Sequence, residues 1–256
     1  MYTYNDLLKD IKNANINSTD TIIIHSSYKS LGDIEGGGQT VINAFKEALK
    51  DGLLLFPTHT WGSIQQDGQV MDKSIPNSNV GYLTNLAILD KSFVRSNHPT
   101  HSVCACGANA LEYIKDDDFA QTPADPRGSF GKLINGGKIL FLGAPLSKNT
   151  FVHCLEEMAL VPDRFTEHIF KFYTKTEDGS LIEFNMPRHF NANCPHISDN
   201  YEKLLPIMLN KGAATKVKIL ASTSYLVDAK KCAEIVFRIL KKDIHAFDDL
   251  RDINED

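Results

Sequence analysis

The chain has 256 residues, 42% apolar and 23% charged, with a net charge of −5. These are the proportions of a soluble globular protein, enough for one large α/β domain or a domain with a small appended lobe. No basic stripe marks a nucleic-acid partner, and no run of about 18 apolar residues marks a membrane span.

The first residues lack the apolar stretch of a secretory signal. Five scattered cysteines (Cys104, Cys106, Cys154, Cys194, Cys232) read as free thiols, and so predict a cytoplasmic protein. In chain order, Leu7, Leu8, Ile11 and Ile16 hint at an opening helix. Residues 21–24 form a β-branched run, the signal of a central strand. It runs into His25, Ser26 and Ser27, then Leu31 and Gly32, then Gly36, Gly37 and Gly38. Residues 39–50 follow as an amphipathic helix with Val41, Ile42, Phe45, Ala48 and Leu49 inward, and residues 53–56 as the next strand. A strand, glycine loop, helix, strand unit favours a parallel α/β sheet.

Residues 61–79 are polar and rich in turn formers, and predict a long active-site loop. Residues 81–89 read as a helix, 103–106 as a short strand before a helix near 108–114, and 130–134 as helical. Residues 138–142 read as a buried strand that leaves through Gly143, Ala144 and Pro145. Residues 168–175 and 181–185 alternate about Asp178 and Gly179, a hairpin signal that sets apart a lobe at 166–200 within a single domain spanning 1–256. Residues 193–199 read as a hinge, 201–209 and 227–240 as helices, and 216–220 as a strand between them.

Four constellations carry chemistry. Thr150, His153 and Glu156 are spaced three and three, which puts them on one helix face. A histidine with a carboxylate one turn away has the parts of a general base, since the carboxylate fixes the tautomer and stabilises the cationic ring. The bland alternative is a satisfied core histidine. Cys154 lies about 100° around the helix from His153, badly placed as a nucleophile for that base.

The loop from His25 to Gly38 offers hydroxyls and N–H groups before a helix, suited to phosphate or carbonyl oxygens. It is neither GxGxxG nor a P-loop, and a plain glycine connection fits equally well. Arg95, Ser96, His98, His101 and Ser102 crowd one short stretch, where Arg95 suits a phosphate or pyrophosphate. The alternative is a polar turn. Asp125 and Ser129 either cap backbone N–H groups before a helix, or Ser129 and the nearby N–H groups touch a ligand. Nine histidines raise a metal site, but no HExxH or CxxC pattern supports one.

Together these residues resemble the aminoglycoside 3-N-acetyltransferase family, antibiotic acetyltransferases that use acetyl-CoA. The resemblance runs from about Asp20 to Leu240. It is carried by His25 to Ser27 with Leu31 and Gly32, by Arg95, Ser96, His98, Pro99 and Ser102, by Thr122 and Pro123 through Ser129, by Leu142 and Gly143, and by Thr150, His153 and Glu156.

It implies a three-layer α/β/α core with a mixed, mostly parallel sheet and an added antiparallel hairpin portion, unrelated to the GNAT acetyltransferases. It implies direct acetyl transfer in a ternary complex, with His153 as base, Glu156 as its partner or a substrate carboxylate, and Thr150 near the thioester or oxyanion. Acetyl-CoA would be held by His25, Ser26, Ser27, Leu31, Gly32, Gly36, Gly37, Arg95, Ser96, His98 and Ser102, with Ser129 and Phe130, and no metal is required.

Trp61, Asp72, Glu157 and Arg188 are the candidate contacts to a small-molecule amine. The segments 61–79 and 188–199 hold only Asp67, Asp72 and Asp199 as acids, too few to grip a polycation. The resemblance implies an aminoglycoside or another amino sugar as acceptor, and the scarcity of acids points to the alternative, a nucleotide-linked amino sugar of surface polysaccharide biosynthesis. A metal-dependent amidase or deacetylase using His98, His101 and His153 is the reading from another class, and a non-catalytic coenzyme-binding module a third. Amphipathic helices leave a homodimer open.

Overall fold

Ile22, Ile23 and Ile24 lie in β1 (Thr21–Ser26) and are buried on both of its faces. A strand covered on both sides calls for a helical layer above and below it. In the computed structural model, which describes residues 1–190 and 194–253, those layers are present. The chain runs α1 (Tyr4–Asn13), β1, α2 (Gly37–Ala48), β2 (Leu53–Pro57), β3 (Val70–Asp72), α3 (Tyr82–Leu89), β4 (Val94–Arg95) and β5 (Val103–Gly107). It continues through α4 (Ala110–Ile114), α5 (Ser129–Lys132), β6 (Lys138–Leu142), α6 (Thr150–Met158), β7 (Phe170–Lys175) and β8 (Leu181–Met186). It closes with α7 (Leu204–Asn210), β9 (Ala214–Ile219), β10 (Ser222–Asp228) and α8 (Ala229–Lys242).

The main sheet has the order β4-β5-β2-β1-β6-β10-β9. It is mixed, as expected. Parallel pairing is confined to its centre, where β1 pairs with β2 and with β6. The outer pairings, β2 with β5, β5 with β4, β6 with β10 and β10 with β9, are antiparallel and outnumber the parallel ones. On one face Ile22 and Ile24 pack with Val41, Ile42 and Phe45 of α2, Leu83 of α3, and α1. On the other, Ile23 and Phe141 pack with Phe151 and Leu155 of α6 and Val236 of α8.

Three local readings need correction. The segment 61–79 is not all loop, because β3 pairs with β7 and makes the hairpin a three-stranded sheet, β3-β7-β8. Residues 222–228 are a strand that the sequence reading passed over, and the last helix begins at Ala229 rather than 227. The helix read at 39–50 starts at Gly37, after Gly36 at φ +73. Asn193, at the head of the hinge read at 193–199, lies outside the described residues.

β1, β2 and β6 all point the same way, so their C-terminal ends share one edge. β1 has its neighbours on opposite sides there, with α2 on one face and α6 on the other. Such a switch in strand order opens a crevice at the carboxyl edge, where open α/β sheets bind ligands.

Candidate functional site

His153 and Glu156 lie one turn apart on α6, as their spacing predicts, but they are linked through a third residue. His153 Nδ1 is 2.7 Å from Tyr201 Oη, which donates to Glu156 Oε2 at 2.5 Å. The direct distance from Nδ1 to Oε2 is 3.6 Å. On its other oxygen Glu156 accepts from Arg164 Nε at 2.9 Å, and Arg164 Nη2 donates to Asp248 Oδ1 at 2.6 Å. Burial, with Glu156 beside it, pushes the Tyr201 phenol well above its ordinary range, so it keeps its proton.

A carboxylate only accepts, so the tyrosine's one proton points at Glu156 and its oxygen accepts from Nδ1–H. That fixes the tautomer and leaves the lone pair of His153 on Nε2. The side chain of His153 is 17% exposed, so the ring is not sealed in the core.

Other imidazoles surround it. His189 packs on His153 with ring centroids 4.0 Å apart, His59 on His101 at 4.6 Å, and His98 lies 5.8 Å from His101. Burial holds all four well below the usual histidine range, His98 at about 4. Nε2 of His25, His59 and His189, the hydroxyl of Ser26 and both amide atoms of Asn149 are buried without a partner among the described residues. Buried polar atoms ordinarily carry partners. Several of these sit at the ends of β1 and β2 and at the start of α6, where a bound molecule would meet them.

The ligand atoms of His153, Glu156 and His189 lie within 4.8 Å of one another, close enough to consider a metal. Their partners favour a hydrogen-bond network instead, because Arg164 and Tyr201 occupy both oxygens of Glu156 and Tyr201 faces His153 Nδ1. The metal set of His98, His101 and His153 also fails. His98 Nδ1 accepts from the amides of Thr100 and His101, so its Nε2 donates to the Thr122 carbonyl and no lone pair remains.

The same geometry leaves His98 no free ring nitrogen for a coenzyme hydrogen bond, and it corrects Arg95. That guanidinium is buried and donates to Ser102 Oγ, Asn77 Oδ1 and the carbonyls of Thr58, Lys73 and Ile75. It ties the 73–77 loop to the end of β2 and has no arm left for a phosphate. Ser96 Oγ accepts from the Val103 amide, Ser102 bonds Thr58, and Ser129 bonds Asp117, so each of these hydroxyls already has a partner within the fold. Asp125 accepts from the Gln121 and Arg127 amides, which closes the loop before α5 and does not cap that helix, whose first amide goes to Asp117. Leu31 is core, and at Gly32 a side chain would press on Tyr2 and Ala221. Phe130 is buried with its ring 5.6 Å from His59. His25, Ser26, Ser27, Gly36 and Gly37 remain at the open edge of the sheet.

On the acceptor side, Glu157 is half-buried beside the Thr122 hydroxyl, and burial pushes it up to about 7. Arg188 sits over the Phe170 ring, next in sequence to His189. Asp72 is paired with Lys175, and Trp61 is exposed. Thr150 is buried at the first turn of α6. Cys154 is fully buried and its thiol is pushed up, which disqualifies it as a nucleophile. Tyr201, Arg164, Asp248, His189 and His59 escaped the sequence reading.

The α/β sheet thus presents, on the helix beside its carboxyl edge, an imidazole oriented by a hydrogen-bonded chain. The sequence model of the aminoglycoside 3-N-acetyltransferase family matches residues 23–241, and the chain belongs to that family, a family of acyltransferases. The chain is 25% identical over 181 residues to aminoglycoside N(3)-acetyltransferase III of Serratia marcescens, covering 64% of this chain and 67% of that protein. It is 28% identical over 182 residues to the type VII enzyme of Streptomyces paromomycinus, at 63% of each. The chain thus spans about two thirds of these curated relatives. Among solved structures, AAC-IIIb in a binary complex with CoASH has a TM-score of 0.78 at 22% identity, covering 94% of this chain and 97% of that one. The AAC(3)-IVa apoenzyme has a TM-score of 0.78 at 19% identity, covering 96% and 91%. At these identities the structural likeness speaks for the fold. Among the described residues no helix is long and apolar enough to cross a membrane.

Proposed function

We propose that this protein transfers the acetyl group of acetyl-CoA to a primary amine, with His153 as general base. The observation that carries this reading is the relay from Arg164 through Glu156 and Tyr201 to His153 Nδ1, which leaves Nε2 unprotonated and partly open. Family membership supports the donor, as does the CoASH bound by a protein of the same fold.

His153 Nε2 takes a proton from the ammonium form of the acceptor, and the ring's new charge is answered by Tyr201 and Glu156. The freed amine attacks the thioester carbonyl. The attacking nitrogen gives up its remaining extra proton to solvent, and the tetrahedral intermediate collapses by breaking the C–S bond as the proton held on His153 passes to the departing sulfur, releasing the amide and free CoA. Thr150, at the start of the same helix, is the candidate donor to the oxyanion. The chain works as one unit, with the 166–200 lobe as the acceptor-side wall.

The acceptor is an amino sugar of low positive charge rather than a polycationic drug. Asp67 is spent on His168 and the Lys171 amide, and Asp72 on Lys175 and Ser74. The surrounding histidines are neutral, and Glu157 is only partly ionised at neutral pH. Such a pocket compensates poorly for desolvating several ammonium groups. A thiol-release screen with acetyl-CoA against aminoglycosides and amino sugars tests donor and acceptor together. Thiol release with an amino sugar is expected. Silence with every amine would end the transferase reading, and faster release with polycationic aminoglycosides would overturn the acceptor class.

A further inference from the structure

Tyr28 and Tyr82 form an aromatic pair that the chemistry at His153 does not use. Tyr28 follows β1 directly and Tyr82 opens α3, with ring centroids 4.9 Å apart and planes tilted by 53°. Both rings lie against the glycine turn that starts α2. A Cβ on Gly38 would fall 2.6 Å from Tyr82 Cε1, and one on Gly37 would fall 3.7 Å from Tyr28 Oη. Gly38 is therefore what lets the Tyr82 ring approach this helix, while Tyr28 Oη lies at ordinary contact distance from the turn. Tyr82 nevertheless stays 52% exposed, with one side on Gly38 and Tyr28 and the other open. A tyrosine serving only to clamp α3 to α2 would be covered.

The neighbourhood offers polar groups as well. A Cβ on Gly81, just before α3, would fall 3.6 Å from the Ser26 carbonyl, and the buried Ser26 hydroxyl has no partner among the described residues. The site lies on the α2 face of the crevice, whereas His153 lies on the α6 face, so a long ligand crossing the strand ends would put different parts at each.

We propose that Tyr82, backed by Tyr28, is the platform on which the purine ring of the coenzyme stacks. This rests on the reading of acetyl-CoA as donor. An exposed aromatic face holds a flat heteroaromatic base by stacking, which contributes enough to show as roughly a 5- to 150-fold change in affinity on removal. A thioester donor that lacks the nucleotide, acetyl-phosphopantetheine, has nothing to place there.

The test measures KM for acetyl-CoA and for acetyl-phosphopantetheine in the wild type, Tyr82→Ala and Tyr82→Phe, together with calorimetric titration of CoA. Tyr82→Ala should raise KM and weaken CoA binding within that range, leave KM for acetyl-phosphopantetheine unchanged, and be rescued by Tyr82→Phe. A KM that moves equally for both donors would make Tyr82 merely structural, and one that moves for neither would leave the purine elsewhere. Either result overturns the platform while the acetyltransferase reading stands. A wild-type chain that binds no CoA would overturn both.

Discussion

Glu156 is fully buried, and a buried carboxylate persists only where its charge is answered. Arg164 and Tyr201 answer it, and the arrangement that orients His153 also holds the fold. Arg164→Ala should cost roughly 3–5 kcal/mol by stranding that charge, read as a lower denaturation midpoint. Pairing it with Glu156→Gln should recover much of the loss; no recovery would mean that Arg164 acts by packing alone. His153→Ala should lower turnover by about 10²–10⁴-fold with CoA binding intact, and unchanged turnover at saturating amine would remove His153 from the role.

Tyr201→Phe takes away both the donor to Glu156 and the acceptor for Nδ1–H. A lost hydrogen bond to a charged group is worth about 1.5–3 kcal/mol, or roughly 10- to 150-fold in kcat. KM for acetyl-CoA should hold; equal loss in KM would argue for general disruption. The histidine and glutamate were legible because helical spacing is local. Tyr201 and Asp248 were not, because Tyr201 reaches Glu156 from 45 residues away and Asp248 reaches Arg164 from 84, by hydrogen bonds that no sequence period encodes.

The hairpin sheet has its own small core of Ile64, Met71, Phe172, Phe184 and Met186. It docks on the crevice through Thr174 Oγ1, which donates to the Asn97 carbonyl, and through Phe184, which stacks on His98 at 6.3 Å. So small a core has little redundancy. Phe172→Ala should cost about 3–5 kcal/mol locally and loosen the wall beside Glu157. The expected signature is early hydrogen exchange in β7 and β8, with KM raised for the amine but not for acetyl-CoA. Exchange spread evenly over the chain would mean that the lobe is not a separate unit.

Asp178 and Gly179 announced the turn of this hairpin because left-handed backbone at Gly179 favours glycine. β3 stayed hidden, since three residues earn strand geometry only from their partner β7. β10 was missed for a related reason. Its polar stretch Ser222 to Ser224 reads as a turn until it is paired with β9.

At the scale of the whole molecule, the repeated strand and helix signals and the glycine loop were enough to indicate an α/β core. The antiparallel flanks were not legible, because strand direction at the sheet's edges is set by pairing across the chain. Also unreadable was that five of the nine histidines fold into places where burial depresses their basicity.

That burial has a pH consequence. His98 falls to about 4 and His25 to about 3, against roughly 6.5 in the unfolded chain. Above pH 6.5 both states are neutral and nothing is lost. As pH falls below 6.5 the unfolded chain binds protons that the fold refuses, so stability drops until the folded groups titrate. The loss approaches ~3 kcal/mol for His98 and somewhat more for His25. Asp117, raised to about 6 by burial, and Glu157 work in the opposite direction, since the fold holds their protons more tightly. Glu157 is partly solvated, so its share is smaller.

Five depressed histidines stand against three raised acids, Asp117, Asp118 and Glu157, the last two partly solvated, so the net effect of acid is destabilising. Thermal unfolding should therefore be flat from pH 8 to 7, fall steeply below about 6, and give way to a cooperative acid transition before pH 4. A melting temperature that holds or rises between pH 7 and 5 would mean that these rings take up protons within the fold, and that the neutral pocket proposed for the acceptor is wrong.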